Sequence, residues 1–94
     1  QAAYDREIIA DLGGEEKAEV TLSEIWRHME RQANGEKGDL LTNGYADIFY
    51  IRDAKGTLWA VSDYWYADGG GWSLGADSVE SPSRWRAGRR VLSR

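Results

Sequence analysis

The spacing of apolar residues divides the chain into a helical first third and a strand-like remainder. The segment AYDREIIADL places Tyr4, Ile8 and Leu12 four positions apart and is followed by Gly13-Gly14. Apolar residues at this spacing share one face of a helix, and a glycine can end a helix in a left-handed cap. The pattern therefore predicts a short first helix.

A longer second helix is predicted from the segment VTLSEIWRHMERQANG. Thr21 stands as an N-cap with Glu24 three residues later, as in a capping box, and Asn34-Gly35 supplies the exit. Val20 and Ile25 can form the hydrophobic staple around that cap. The apolar residues that recur at helical spacing are Leu22, Ile25, Trp26, Met29 and Ala33. We expect this face, including the Trp26 ring, to pack on the core.

Beyond the second helix the apolar period becomes two, and turn signals recur at short intervals. These signals are Asn43-Gly44, Asp53-Ala54-Lys55-Gly56, Asp68-Gly69-Gly70-Gly71 and Ser81-Pro82. The segments YADIFYIR and TLWAVSDYWY flank DAKG, which suits a type I turn followed by a left-handed glycine, so they predict a β-hairpin. Its register gives one face Phe49, Ile51, Trp59 and Val61, and the other Ile48, Tyr50, Leu58 and Ala60.

The last part of the chain continues this pattern. WSLGADSVE predicts another strand, Ser81-Pro82 predicts the start of a single helical turn through Trp85, and RRVLS predicts a final strand after Gly88. The whole sequence predicts an α+β fold in one domain over residues 1–94. In that fold, N-terminal helices pack on an antiparallel β-meander of about four to five strands.

The hairpin is apolar on both faces and therefore needs two covers. The second helix can supply one, and the other must come from the rest of the chain or from another molecule. We expect this need to be met by a homodimer or a protein partner seated on the aromatic sheet face.

Aromatic residues are the first candidates for binding, because the chain has five Trp and five Tyr but only one Phe. Such amphipathic rings suit half-buried positions and contact surfaces. The candidates on the predicted strands are Tyr50, Trp59, Tyr64, Trp65, Tyr66 and Trp72. About half of them are needed for the core of so small a domain. Tyr64, Tyr66 and Trp72, beside the glycine turn, are expected to be exposed.

Charge adds a second group of candidates. The net charge is −4, yet residues 81–94 hold five Arg and no acidic residue. A phosphate-binding patch could be formed by Arg84, Arg86, Arg89 and Arg90 with Trp85, although the acidic remainder of the chain would repel nucleic acid. Pairing of the arginines with acidic residues of the same chain or of a second copy explains the distribution without a ligand.

The absence of cysteine and of a long apolar run limits the possible functions. The chain has no cysteine, which removes disulfides, thiolate metal sites and thiol catalysis, and we expect a cytoplasmic protein without a cofactor. No run of residues approaches the roughly 18 apolar residues of a membrane span.

The remaining motifs have simpler structural explanations. Gly71-Trp72-Ser73-Leu74-Gly75 matches the GxSxG elbow of serine hydrolases, but the residues after Ser73 continue as a strand and no histidine follows. His28 is alone and is expected to be a helix-surface residue with Glu24 or Arg31 as a local partner. Asp63 with Asp68, or Asp47 with Asp77, could form carboxylate pairs, but solvated carboxylates are the simpler interpretation.

The stretch NGYADIFYIRDAKGTLWAV and the ending SVESPSRWRAGRRVLSR resemble small uncharacterised bacterial proteins of the integron gene-cassette or mobile-element type. The resemblance implies a bacterial accessory protein and transfers no residue role. Two functions stay open. The first is a non-catalytic accessory binding protein that self-associates or caps a protein partner through the aromatic sheet face. The second is a small-ligand-binding protein or enzyme with a pocket near Tyr64, Tyr66 and Trp72.

Overall fold

The computed structural model describes residues 1–94 and contains three helices and five strands. In chain order the elements are α1 (Asp5–Asp11), α2 (Glu15–Ala18), β1 (Glu19–Val20), α3 (Leu22–Arg31), β2 (Asp47–Arg52), β3 (Leu58–Tyr66), β4 (Gly71–Ser78) and β5 (Arg90–Val91). The predicted α+β fold, with helices before most of the strands, is confirmed.

The sheet is mixed rather than purely antiparallel, which corrects one part of the expectation. Strands β2, β3 and β4 form the predicted antiparallel meander. The free edge of β2 is paired by two short parallel pieces, β5 at its start and β1 at its end. The backbone N–H of Arg94 donates to the carbonyl of Lys17 at 3.3 Å, so the C-terminal segment runs directly into the β1 region. Two remote segments thus share one sheet edge.

The predicted hairpin register is confirmed, since Phe49 pairs with Val61 and Ile51 pairs with Trp59. The turn between the strands closes as expected, with the Gly56 N–H donating to the Asp53 carbonyl at 3.0 Å. Gly56 has a φ of 87°, in the left-handed region that favours glycine. The sequence therefore defined the centre of the sheet correctly.

Both faces of the hairpin are covered within one chain, so the expected need for a second molecule there is not found. One face packs on α1, and its buried cluster is Ile8, Ile9, Ala18, Ala46, Ile48, Tyr50, Leu58, Ala60 and Val79. The other packs on α3 through Val20, Ile25, Met29, Leu40 and Phe49. The sequence pattern predicted α1 as a short helix and did not assign it to a face of the hairpin. In the structure, Ile8 and Ile9 of α1 cover the second face of the hairpin.

Helix α3 buries a narrower face than its apolar pattern suggested. Ile25 and Met29 are in the core, whereas Trp26 is 51% exposed and Leu22 is 52% exposed. Successive helical residues are rotated by about 100°, so Leu22 and Trp26 lie on a flank of the buried face. The expectation of a buried Trp26 ring is therefore wrong.

The N-terminus of α3 has the predicted cap, in which the Thr21 hydroxyl accepts the Glu24 backbone N–H at 3.4 Å. Thr21→Ala should lower the free energy of unfolding by about 1 kcal/mol or less, because the bond is long and exposed. Urea denaturation measures this loss, and Ser23→Ala in the same exposed turn is the matched control. Equal losses in the two variants would contradict a capping role for Thr21.

The single helical turn expected from Ser81-Pro82 to Trp85 is not formed. Trp85 instead makes an isolated antiparallel bridge with Ala3, in which its N–H donates at 2.8 Å and its carbonyl accepts at 3.0 Å. Its backbone groups are thus paired with a remote segment and are unavailable for local helical bonds. This bridge ties the arginine-rich segment to the N-terminus.

No helix of the structure has the length and apolar character needed to cross a membrane.

Candidate functional site

A cavity of about 250 Å³ opens on the α1 side of the sheet, where the C-terminal segment passes over it. Its lining combines aromatic rings with arginines and two carboxylates, and the residues that matter are Tyr45, Tyr64, Asp77, Arg84, Trp85, Arg86, Arg89 and Asp5. We call this set the arginine pocket. Its volume lies just below the usual range for ligand sites, about 300 to 1,000 Å³, so it suits a small molecule.

The base of the arginine pocket is fixed by Asp5, at the first position of α1. This buried carboxylate accepts the Tyr50 hydroxyl at 2.8 Å and the Trp85 indole N–H at 2.6 Å, both on Oδ1. Burial and the neighbouring carboxylate raise the pKa of Tyr50 well above its usual value, so its hydroxyl stays a donor. Asp5 therefore holds both Tyr50 and Trp85 in place through fixed hydrogen bonds.

The rim of the pocket carries three guanidinium groups whose charge is not neutralised by ion pairs. None of the five ion pairs in the structure includes an arginine of residues 84–90. Arg84 lies over the Tyr4 ring at 5.6 Å and Arg86 over the Tyr45 ring at 5.7 Å, while Arg89 donates to the Gln1 carbonyl. Cation–π contacts of this kind orient a guanidinium and leave its charge in place.

The segment that carries these arginines is held by a close approach at Gly88. This residue has a φ of 93°, and a Cβ atom there would lie 2.8 Å from the Tyr45 ring. Any other residue would therefore be strained and would also displace the ring on which Arg86 lies. The sequence pattern predicted only that a final strand follows Gly88.

The side chains that line the pocket are suited to binding an anion. Guanidinium groups form bidentate, charge-assisted hydrogen bonds with carboxylates and phosphates, and the Tyr and Trp rings provide apolar contact area. The lining also holds Ser81 and Ser83 but contains no imidazole and no lysine. The arrangement is thus suited to hold an anion with an attached apolar group.

The structure distributes the remaining aromatic candidates over several environments. Tyr50 is fully buried in the core, and Trp59 lies at the hairpin end, where its indole N–H donates to Asp53 at 2.9 Å. Trp65 and Trp72 meet edge to face at 5.2 Å on the α3 side, and the Trp72 N–H donates to the Gln32 carbonyl at 2.9 Å. Tyr66 is 65% exposed.

The three residues expected to form one pocket lie on both faces of the sheet. Tyr64 and Tyr66 alternate with Trp65 along β3, and Trp72 pairs with Trp65, so its ring points to the α3 face. Tyr64 lines the arginine pocket and, together with Trp65 and Tyr66, an open depression beside the glycine turn, while Tyr66 and Trp72 border a second depression. The arginine pocket brings together the predicted residues Tyr64, Arg84, Trp85, Arg86 and Arg89.

Ser73 and His28 both lie outside the arginine pocket. Ser73 is an exposed residue within β4, paired with Tyr64, and is not at a strand-to-helix turn. His28 is half-buried on α3, with Nδ1 3.7 Å from Asp39 and its ring 6.1 Å from that of Phe49. Its partner is therefore Asp39 rather than Glu24 or Arg31.

A buried carboxylate pair, Asp47 and Asp63, is the main feature that sequence reasoning missed. The two residues are directly opposed across β2 and β3, and both are completely buried. Asp47 accepts the Leu41 N–H at 2.8 Å, while neither oxygen of Asp63 has another hydrogen-bond donor. The expected partners of these carboxylates, Asp77 and Asp68, are exposed elsewhere. Extending the predicted hairpin register by two residues beyond the Phe49–Val61 pair, on the same face of the sheet, would have found this pair.

Burial raises the pKa of both carboxyls, most strongly for Asp63, whose pKa rises to about 9. Desolvation is the main cause, because a low-dielectric site disfavours the charged form. The second cause for Asp63 is the neighbouring Asp47, since two carboxylates this close cannot both be charged. The protonated carboxyl of Asp63 can donate a hydrogen bond to the carboxylate of Asp47. The pair then carries one negative charge in total. This pair lies in the core and outside the arginine pocket.

No protein-family model matches this chain, and neither a curated protein nor a solved structure does. The resemblance to gene-cassette proteins therefore stays a prediction, and the candidate function is derived from the arginine pocket itself.

Proposed function

We propose that this protein is a non-catalytic binding protein for a small organic anion, which occupies the arginine pocket. The anionic group lies between the guanidinium groups of Arg84, Arg86 and Arg89, and the apolar part lies against Tyr64 and Trp85. The observation that carries this proposal is the combination of three arginines without ion-pair partners and a cavity of about 250 Å³ with aromatic walls.

The electrostatics of the rest of the chain support a small ligand over a polyanion. Outside residues 81–94 the chain carries sixteen acidic residues against seven basic ones. A long polyanion would extend beyond the pocket and meet this acidic surface, whereas a small anion would stay beside the three arginines at the pocket rim. The pocket's size and its charge therefore favour the same class of ligand.

Phenyl phosphate is a suitable probe, because it joins an anionic group to an aromatic ring. We expect calorimetric titration to show binding of phenyl phosphate that is tighter than that of inorganic phosphate. Benzyl alcohol, which has the ring without the charge, should bind more weakly than either. Equal affinities for phenyl phosphate and inorganic phosphate would mean that the aromatic wall takes no part.

Arg86→Ala should weaken phenyl phosphate binding by about tenfold or more, since a hydrogen bond to a charged group contributes about 1.5 to 3 kcal/mol. Arg31→Ala, which removes an exposed arginine from α3 on the other side of the sheet, is the matched control and should leave the affinity unchanged. Equal losses in the two variants would indicate non-specific attraction and would contradict the arginine pocket as the site.

A further inference from the structure

Strand β4 is an edge strand that the chain leaves unpaired along its outer side. It pairs with β3 over eight consecutive residues without interruption, and no other strand covers it. Edge strands are usually protected by lysines, prolines, bulges or covering segments. The β4 sequence GWSLGADS contains neither lysine nor proline, carries one charge, on Asp77, and has a continuous register.

The face of the sheet next to this edge is also apolar and exposed. Leu74, on β4, is 45% exposed and points to the α3 side, as does Trp59 on β3. The flank of α3 that carries His28 faces Asp39. The backbone carbonyl of Asp39 accepts a hydrogen bond from the guanidinium group of Arg90, which lies in β5. The opposite flank, with exposed Leu22 and Trp26, therefore lies on the side of β3 and β4. Exposed apolar side chains of α3 and of the β4 edge therefore lie on the same side of the sheet.

We propose that a second copy of this chain pairs with β4 in antiparallel orientation, about a two-fold axis at Leu74. The strand sequence is self-complementary in that register. Leu74 lies opposite its own copy, Trp72 lies opposite Ala76, and Asp77 lies opposite Gly71. The two leucines thus make an apolar contact at the axis, the large Trp72 meets the small Ala76, and the only charge of the strand meets a glycine.

This pairing satisfies the free backbone groups of both β4 strands and joins the two sheets into one. Because the axis is perpendicular to the sheet, both α3 helices lie on the same side of it. The exposed apolar side chains of the two copies then lie on one side of the junction, with Leu74 at its centre. The second copy covers a surface different from the hairpin face that the sequence first suggested. The proposal does not rest on ligand binding in the arginine pocket, and Asp77 is the residue of β4 that also lines that pocket.

Light scattering from micromolar to millimolar protein tests the pairing by mass. We expect the mass to rise from 10.6 kDa to twice that value, and Leu74→Lys to return it to 10.6 kDa by placing two ammonium groups opposite each other. Tyr66→Lys, the same change at an exposed residue outside β4, should leave the dimer intact. A mass of 10.6 kDa at every concentration would overturn the proposal, as would a dimer insensitive to Leu74→Lys.

Disulfide trapping tests the register without depending on the Lys variant, because the natural chain has no cysteine. Oxidised Leu74→Cys should form a covalent dimer, since directly opposed Cα atoms lie about 4.5 to 5.5 Å apart, within disulfide range. The two copies of Ser78→Cys would be separated by about eight positions, or about 26 Å, and should not cross-link. Equal cross-linking of the two variants would contradict the two-fold axis at Leu74.

Discussion

Ile25→Ala should lower the free energy of unfolding by about 2 to 5 kcal/mol, whereas the neighbouring Trp26→Ala should cost clearly less. Ile25 is 1% exposed and packs among Val20, Met29 and Phe49, so its truncation removes buried contacts and leaves a cavity. About half of the Trp26 side chain is already in contact with water, so its removal leaves no comparable cavity.

Urea denaturation at low protein concentration measures both losses under conditions that keep the chain monomeric. The comparison is sharp because the two residues are adjacent on α3 and differ mainly in burial. Trp26 is the larger side chain, so a size effect alone would predict the opposite order. A greater loss for Trp26→Ala would show that α3 buries the Trp26 flank instead of the Ile25 face.

The stability of the protein should fall as pH rises from about 5 to about 9, and Asp63→Asn should remove most of that dependence. The folded state holds a proton on Asp63 up to a pKa of about 9, whereas an unfolded aspartate releases it near about 3.9. Between these values the unfolded state binds fewer protons, so increasing pH favours unfolding. The stabilisation is therefore complete at low pH and is lost as pH rises through the folded pKa.

The free energy of unfolding can fall by up to about 1.4 kcal/mol per pH unit because of one such group. The amide introduced by Asp63→Asn carries no titratable proton and can still donate an N–H to Asp47, so the variant should be more stable than the natural chain at pH about 8. Arg90 and His28 favour the charged form of Asp47, which leaves the shared proton on Asp63.

Asp68→Asn is the matched control, because that carboxylate is exposed in the turn after β3. It should keep the full slope of the natural chain when the free energy of unfolding is measured across the same pH range. Glu15 and Glu80, whose pKa values are lowered by hydrogen bonds to arginines, act in the opposite direction and only at lower pH. Stability that is constant from about pH 5 to about pH 9 would mean that Asp63 is not desolvated.

The sequence by itself determined the elements in which one local pattern is long enough to be unambiguous. The cap at Thr21 and the helical period that follows define α3, and the turn at Gly56 with the alternation around it sets the β2–β3 register. A period of two and a tight turn leave one register that buries the apolar side chains. The same register contains the Asp47–Asp63 pair, so the sequence also determined that feature, although its apolar pattern alone does not reveal it.

Only the tertiary structure decided which remote segments meet. The parallel strands β1 and β5 have two residues each, which is too few to show a period of two. Both form by pairing with the same free edge of β2. Trp85 meets Asp5 across eighty positions of sequence, so no local pattern could place the arginines around a cavity. The tertiary structure also decided the exposure of Trp26. A helical period defines an apolar face, but it does not define how much of that face the sheet covers.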